Sequence, residues 1–274
     1  MAAIRLAWVQ SAGLFQTLIP GTAMNEHSVG ISLRTLARIG GVLYLIIIVG
    51  GTFGEAFIRG RVMVPDDPAA TVANLQSMET LWRLGIASEL FMLSCTVALT
   101  LIFYVLLRPV SRDLALLAVF FNLVSATLEA TGDSQHLMAA LFPLEDAGYL
   151  GALDAAQRSA LASLALTAHG HSFGTALIFF GWECLVLGYL IYRSGYFPKW
   201  IGVLMGLAGV GYLINSFAMI LSPALASLLF PAILLPALVG ESSLALWLLV
   251  KGVDEDAWRR QGAGAAFREA PVAA

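Results

Sequence analysis

Long, continuous runs of apolar residues alternate along this chain with short polar segments. A helix needs about 20 apolar residues to cross the hydrocarbon core of a bilayer, and six runs reach that length. The runs are continuous rather than alternating in polarity, so they predict helices and not the strands of a membrane barrel. The fold class is therefore predicted to be all-α, an integral membrane bundle of six transmembrane helices. The predicted spans are Leu36–Phe57, Leu84–Leu107, Leu114–His136, Phe173–Tyr192, Trp200–Leu221 and Leu229–Val250.

Composition supports a membrane protein. Of the 274 residues, 59% are hydrophobic and 12% are charged, whereas soluble domains contain about 25% charged residues. The net charge of −3 and the lack of a basic stripe argue against a nucleic-acid partner. The expected partner is the lipid bilayer, together with a lipid-like small molecule. The sequence specifies no oligomeric state.

Basic residues between the spans predict the orientation. Eleven of the 15 lysines and arginines fall on one side of the predicted bundle, and basic residues favour the cytoplasmic side. Both termini are therefore predicted to be cytoplasmic. The expected location is the cell membrane, as a multi-pass protein of a bacterial plasma membrane.

The chain divides into three predicted parts. Residues 1–31 form a cytoplasmic N-terminal extension, in which Met24 would make an equally good start; residues 32–253 form the six-helix domain; and residues 254–274 form a disordered cytoplasmic tail. Short interfacial helices are predicted in the two external loops. One follows Pro68, and the other begins at Asp154, a helix cap with Arg158 four residues later.

Three stretches carry a resemblance to a known family. They read RIGGVLYLIIIVGG, FFGWECLVLGYLIYRSGYFPKWIGVL and GESSLALWLLVKG. The region from residue 32 to 253 resembles bacterial multi-pass membrane proteins catalogued as domain of unknown function 4386. The resemblance implies an acid at Glu89 and at Glu241. Many members carry an arginine and a glutamate where this chain has Asn122 and Ser125, which implies a different polar arrangement here. The family has no established activity, so the resemblance implies fold and location only.

Ionisable residues inside the predicted spans are the candidates for function. Each costs about 2.5–3.5 kcal/mol to insert at a helix centre, so several of them need pairing or a ligand. Glu129, Asp133 and His136 stand at i, i+4 and i+7 and therefore share one helix face. His169 and His171 lie at the mouth of the fourth span, at a similar depth.

Imidazole and carboxylate groups in this pattern are typical ligands of zinc or iron. The sequence therefore predicts a divalent metal site with His136, His169 and His171 as ligands. Glu89, Glu129, Asp133 and Glu241 are the candidate acid–base groups. A haem held by His136 with His169 or His171 is an alternative. So is a simpler arrangement in which the histidines contact headgroups and water.

Glu89 and Glu241 lie away from the predicted interfaces. Arg83 is a candidate partner for Glu89, and Asn215 or Ser242 for Glu241. Both acids could hold helices together through hydrogen bonds or take part in acid–base chemistry.

Three functions from different classes follow from these patterns, beside a structural or sensory role without chemistry. The first is a membrane-embedded enzyme or ligand-binding protein whose outer pocket takes a lipid or an isoprenoid. The second is a proton-coupled transporter that uses Glu89 and Glu241. The third is a haem-binding electron carrier.

Overall fold

Every regular element among the described residues is a helix. The computed structural model describes residues 32–64, 67–144 and 151–269, and for residues 55–56, 140–144 and 265–269 the backbone alone. The helices are α1 Leu33–Val62, which is π-helical over Gly54–Arg59, α2 Pro68–Ser77, α3 Glu79–Leu107, α4 Arg112–Leu144, α5 Ala155–Ser194, α6 Lys199–Leu221, α7 Pro223–Leu229, α8 Leu235–Val250 and α9 Glu255–Glu269.

Six of these helices are long and apolar enough to cross a membrane. They are α1, α3, α4, α5, α6, and α8 together with the turn Ala232–Leu234 before it. Large apolar side chains point outwards along them; Leu101 is 63% exposed and Leu221 is 79% exposed. The predicted six-helix bundle is thus confirmed, while the orientation of its termini remains a prediction.

The six long helices form a closed ring in chain order. α1 packs on α3, α3 on α4, α4 on α5, α5 on α6, α6 on α8, and α8 returns to α1. Small residues allow the closest approaches: a Cβ on Gly188 of α5 would lie 2.7 Å from backbone atoms of Gly202 and Gly206 in α6. Such contacts drive helix association in lipid, where burial of apolar surface contributes little.

The ring has two ends, which are used below as reference points. The arginine-rich end is where Leu33, Leu107, Arg112, Ser194, Lys199 and Val250 lie. At the opposite end, α5 begins under a capping box, because Asp154 and Gln157 each accept a hydrogen bond from the other's backbone amide. The helix predicted for this second external loop is therefore the start of a single 40-residue α5 rather than a separate interfacial helix.

α2 and its surroundings close part of the opposite end. Asp67 caps α2 by accepting a hydrogen bond from the amide of Ala70 at 2.9 Å, and Pro68 occupies the first turn. A helix is thus present after the first span, and its placement at a membrane interface stays a prediction. An apolar group, here called the cap cluster, forms beneath α2. Its buried members are Ile58, Val62, Leu75, Trp82, Ile86, Ala139 and Leu166.

The segment predicted to be a disordered tail is helical up to Glu269. α9 begins where Asp254 accepts a hydrogen bond from the amide of Ala257 at 3.0 Å. It is tied to the bundle because Trp258 Nε1 donates to the carbonyl of Leu106 at 3.0 Å. The polar, glycine-containing sequence of this segment does not predict such a long-range contact. The N-terminal extension 1–31 lies outside the described residues.

Candidate metal centre

Three helices bring acidic and imidazole side chains together near the end opposite to the arginines. This group, here called the histidine cluster, consists of Glu89 on α3, Asp133 and His136 on α4, and His169 on α5. Asp133, His136 and His169 are 3%, 3% and 5% exposed. Asp133 and His136 share one face of α4 because they are three residues apart. The cluster therefore depends on both local spacing and the packing of α4 against α5.

The ligand atoms of this cluster lie at distances that a small cation could bridge. Asp133, His136 and His169 each offer one ligand atom, and these three atoms lie within 4.8 Å of one another. The rings of His136 and His169 stack with centroids 3.3 Å apart and an interplanar angle of 16°. Two nitrogen ligands of a tetrahedral zinc ion lie about 3.3 Å apart at the usual bond lengths. Because imidazole lone pairs lie in the ring plane, the two stacked rings would have to rotate before both could bind one ion.

Glu89 orients one of the two imidazoles. His136 Nδ1 lies 3.4 Å from Glu89 Oε2. If Nδ1 carries the proton and donates it to this carboxylate, the lone pair of the ring is on Nε2. A carboxylate that accepts from one ring nitrogen while the other binds the metal is the usual arrangement around metal-bound histidines.

The carboxyl groups of Glu89 and Asp133 are also in hydrogen-bonding contact. Two carboxylates repel each other, so this contact requires a proton or a cation between them. Asp133 Oδ2 has no hydrogen-bond partner, and His169 Nδ1, which lies beside Gly132, makes no hydrogen bond of good geometry. Buried polar atoms are normally paired. Buried atoms left in this state are candidates for ligand atoms.

The cluster lies about one membrane thickness from the arginine-rich end. At about 1.5 Å per residue, Glu89 is about 27 Å along α3 from Leu107, and His169 is about 38 Å along α5 from Ser194. The hydrocarbon core of a bilayer is about 30 Å thick. If the arginine-rich end marks one boundary of a bilayer, the histidines are expected near the opposite boundary.

A small recess opens beside the cluster between α1 and α3. It is lined by Gly54, Ile58, Arg59, Trp82, Glu89 and His136, among others, and has room for about one water molecule. Trp82 Nε1 donates to the carbonyl of His136 at 3.2 Å, and the two rings lie 5.0 Å apart. The recess thus has an apolar wall, one cationic side chain and direct contact with the cluster.

Arg59 reaches towards α5. Its Nη2 lies 3.4 Å from the position that a Cβ on Gly170 would take, and its guanidinium interacts electrostatically with His169. A side chain at position 170 would crowd this guanidinium. Arg59 of α1 therefore lies beside Gly170 and His169 of α5, on one side of the cluster.

The structure separates the other predicted site residues. His171 is exposed, while His169 is buried, because two residues along a helix point to different sides. Glu129 is half-buried one turn from Asp133 and interacts electrostatically with Asp133 and Glu89. Glu241 lies in another group, where it accepts a hydrogen bond from Tyr212 at 2.5 Å.

The partners expected for the isolated acids differ from those observed. Arg83 pairs with Glu79 at 2.8 Å rather than with Glu89. Asn215 donates to Met219 Sδ rather than to Glu241. Instead, Tyr44 and Tyr212 donate hydrogen bonds to Glu241.

Sequence reasoning did not identify Trp82 and Arg59 as part of the site. Trp82 stands seven residues before Glu89 and therefore on the same helix face, which is a signal that could have been used. Arg59 lies in the π-helical segment of α1, where the direction of a side chain cannot be obtained from a 3.6-residue period.

Comparisons with known proteins fix the family. An uncharacterized protein of Archaeoglobus fulgidus is 30% identical over 164 residues, which cover 60% of this chain and 79% of the relative. No solved structure matches the chain. The model of the family described as domain of unknown function (DUF4386) matches residues 39–252. Since that match spans most of the chain, the protein belongs to the DUF4386 family of unknown function.

Proposed function

We propose that this protein is a membrane-embedded, metal-dependent hydrolase that acts on a lipid-like ester or amide. The observation that carries the proposal is the buried set Asp133, His136 and His169, whose ligand atoms lie within 4.8 Å of one another. Asp133 Oδ2 in this set has no hydrogen-bond partner, and His169 Nδ1 makes no hydrogen bond of good geometry. Structural hydrogen-bond networks in a bundle normally satisfy such atoms.

The donor set favours zinc or iron. Two imidazoles and one carboxylate suit either ion and leave a position open, as in hydrolytic metal sites. A metal held by Asp133, His136 and His169 would lower the pKa of a bound water and polarise a carbonyl oxygen. Glu89 is close enough to the cluster to hold a proton during the reaction, and Glu129 adds a second carboxyl next to Asp133.

The surroundings favour a lipid or isoprenoid substrate. The recess beside the cluster combines the apolar side chain of Ile58 with Trp82 and with the guanidinium of Arg59. Its depth corresponds to the boundary between lipid tails and headgroups. For an apolar chain to enter from the bilayer, the side chains around the recess would have to move apart. Arg59 would then suit an anionic oxygen of the substrate.

Metal content tests the first half of the proposal. Purified protein is loaded with zinc, freed of unbound ion by gel filtration and measured by elemental analysis. The expected result is about one zinc per chain. His169→Ala should abolish binding, while His171→Ala, the exposed neighbour on the same helix, should retain it. Equal zinc content in all three proteins would contradict the proposal.

Hydrolysis tests the second half. Zinc-loaded protein is incubated with a mixture of extracted membrane lipids and isoprenoid esters, and released fatty acids and alcohols are measured by mass spectrometry. Glu89→Gln should lower the rate by about 10²–10⁴-fold if Glu89 transfers a proton. Zinc binding without any released product would restrict the function to metal binding.

The haem alternative receives less support from the geometry. Two axial histidines approach a haem iron edge-on from opposite faces of a flat macrocycle. Here the rings of His136 and His169 stack face to face at 3.3 Å, which leaves no gap for a macrocycle between them. An absorption spectrum of the purified protein distinguishes the two, because a bound haem gives a Soret band.

The two acids of the transporter alternative lie in two separate groups. Glu89 belongs to the histidine cluster and Glu241 to the group around Tyr212. A transporter using both acids would need to couple these groups.

We also infer that the arginine-rich end faces the cytoplasm of the cell. Labelling of single cysteines introduced at Ser77 and Arg260 with a membrane-impermeant reagent on intact cells tests this; labelling at Arg260 alone would contradict it.

A further inference from the structure

Basic and aromatic side chains meet on the outer surface of the bundle, at the arginine-rich end. This group, here called the boundary patch, consists of Tyr192 on α5, Lys199 and Trp200 on α6, Trp247 on α8, and Lys251 directly after α8. Trp247 is half-buried, and the other four side chains are exposed. Since α6 packs against both α5 and α8, the patch spans three adjacent helices.

Contacts between these side chains hold the patch together. Lys199 Nζ lies 5.4 Å from the ring centroid of Tyr192, within the range of a cation–π interaction. The rings of Trp200 and Trp247 lie 6.4 Å apart at an interplanar angle of 86°. The amide of Lys251 donates to the carbonyl of Trp247 at 2.8 Å, so Lys251 stands one helical turn beyond Trp247 on the same side of α8.

The turn between α5 and α6 fixes the position of Lys199. Ser194 Oγ accepts a hydrogen bond from the amide of Phe197 at 3.2 Å. The hydroxyl of Tyr196 donates to the carbonyl of Leu106 on α3 at 2.6 Å. Both bonds are buried. The backbone that carries Lys199 is therefore ordered before a ligand arrives, which lowers the entropic cost of binding.

The positive charge of the patch is not balanced by nearby acids. Residues 184–253 contain three basic residues and one acid, Glu241, which is 8% exposed. Within the part of the chain that the structure describes, Lys199 and Lys251 form no ion pair. The next acid along the chain, Asp254, caps α9. The patch is therefore complementary to an anion.

An apolar strip continues from the patch along α6. Val203, Leu207 and Val210 are 50%, 51% and 43% exposed and stand three or four residues apart, so they share one helix face. Val210 is about 15 Å along α6 from Trp200, which is about half the thickness of a hydrocarbon core. An acyl chain of one leaflet matches this length. The surface thus fits a molecule with an anionic head and an apolar tail.

We propose that the boundary patch is a binding site for an anionic phospholipid, such as phosphatidylglycerol. Its phosphate lies near the ammonium groups of Lys199 and Lys251, and its acyl chains lie along the apolar strip of α6. Trp200 and Trp247 pack at the level of the glycerol backbone, where indole rings are favoured. Phosphatidylcholine has the same phosphate, but the two lysines repel its quaternary ammonium group. The net charge of the headgroup therefore sets the selectivity, independently of any metal at the histidine cluster.

Native mass spectrometry tests this proposal. Full-length protein in detergent micelles is incubated with equal amounts of phosphatidylglycerol and phosphatidylcholine of different mass, and the lipid retained per chain is counted. The wild type should retain phosphatidylglycerol over phosphatidylcholine by about tenfold or more, since each basic residue near an anionic headgroup contributes about fivefold. Lys199→Gln combined with Lys251→Gln should lower this ratio to about one. Lys199→Arg combined with Lys251→Arg keeps both charges and should keep the ratio of the wild type.

The control variant loses the same charge outside the patch. Arg259→Gln combined with Arg260→Gln removes two exposed basic side chains of α9 at the same end and should leave the ratio unchanged. An equal loss in this control would overturn the proposal, as would a wild type without preference or an unaltered ratio in the Lys→Gln pair. Lipid-free dimers in the same spectra would also overturn it, because a second copy would then cover the patch. So would binding of glycerol 3-phosphate in place of lipid, since that anion has no acyl chain.

Discussion

The histidine cluster and a second buried acidic group, the central network, satisfy their polar atoms differently. The central network takes one side chain from each of the six long helices: Tyr44, Thr100, Asn122, Glu183, Tyr212 and Glu241. In the histidine cluster, Asp133 Oδ2 has no hydrogen-bond partner. In the central network, Asn122 links Thr100 to Glu183 with two short hydrogen bonds. The first group is the proposed metal site, whereas the second is held together by its own hydrogen bonds.

The two groups also depend on different numbers of helices. The histidine cluster is built on α3, α4 and α5, while the central network takes one residue from each of the six long helices. Removing a member of the first should therefore affect binding with little effect on stability. Removing a member of the second should affect the packing of the whole ring. Four variants test this contrast, from the largest expected effect to the smallest.

The largest effect is expected for His169→Ala. It removes a ligand that is 5% exposed, so stoichiometric zinc binding should be lost, as measured by titration calorimetry in detergent. The exposed His171→Ala is the matched control and should bind zinc like the wild type. Loss of binding in both variants would mean that α5 is perturbed as a whole and that the contrast between these histidines is not functional.

Glu89→Gln should have the next largest effect. It keeps the size of the side chain but weakens the acceptor 3.4 Å from His136 Nδ1. Loss of such a partner typically lowers metal affinity by about 10–100-fold. The same calorimetric titration checks this, with Glu79→Gln on the same helix as the control. An unchanged dissociation constant would show that Glu89 does not orient the imidazole.

Asn122→Leu should lower the stability of the bundle by about 1–2 kcal/mol, because the Glu183 carboxyl loses its amide donor inside the membrane. Reversible unfolding in mixed detergent micelles measures the change. Leu123→Ala, at the neighbouring position that is 40% exposed, should have little effect. Zinc affinity should remain that of the wild type. Normal stability with weakened zinc binding in Asn122→Leu would show that Asn122 supports the metal site rather than the packing of the bundle.

The smallest effect is expected for Tyr212→Phe. It removes one hydroxyl donor to Glu241, while Tyr44 remains beside the same carboxyl. Single hydrogen bonds between membrane helices contribute about 0.6 kcal/mol on average. The same unfolding experiment applies, with the half-exposed Tyr189→Phe as the control. A loss of stability several times larger would indicate that Tyr44 does not donate a hydrogen bond to Glu241.

The positions of the six spans could be predicted because continuous apolar runs are a direct consequence of the bilayer. The ends of the helices could not. α5 begins at Ala155, whereas the apolar run begins at Phe173, because the capping box at Asp154 starts the helix well before its apolar part. The helical state of Glu255–Glu269 was also missed, since it depends on the bond from Trp258 to the distant Leu106.

The candidate site was predicted where it depends on local spacing. Asp133 and His136 share a face of α4 by their separation alone. Which of His169 and His171 faces the cluster depends on the rotation of α5 in the bundle, which the sequence does not specify. The partners of Glu241 come from α1 and α6, and no local pattern links residues 44, 212 and 241.

The cap cluster has a consequence for kinetics. Trp82, Ala139 and Leu166 lie on the same helices as the histidine cluster but one or two turns nearer the end opposite the arginines, and Leu75 of α2 belongs to the same apolar group. This apolar group covers the cluster on that side, and the recess between α1 and α3 is the other approach to it. Release of a bound ion would therefore require movement of these packed side chains, so we expect it to be slower than release from an open surface site.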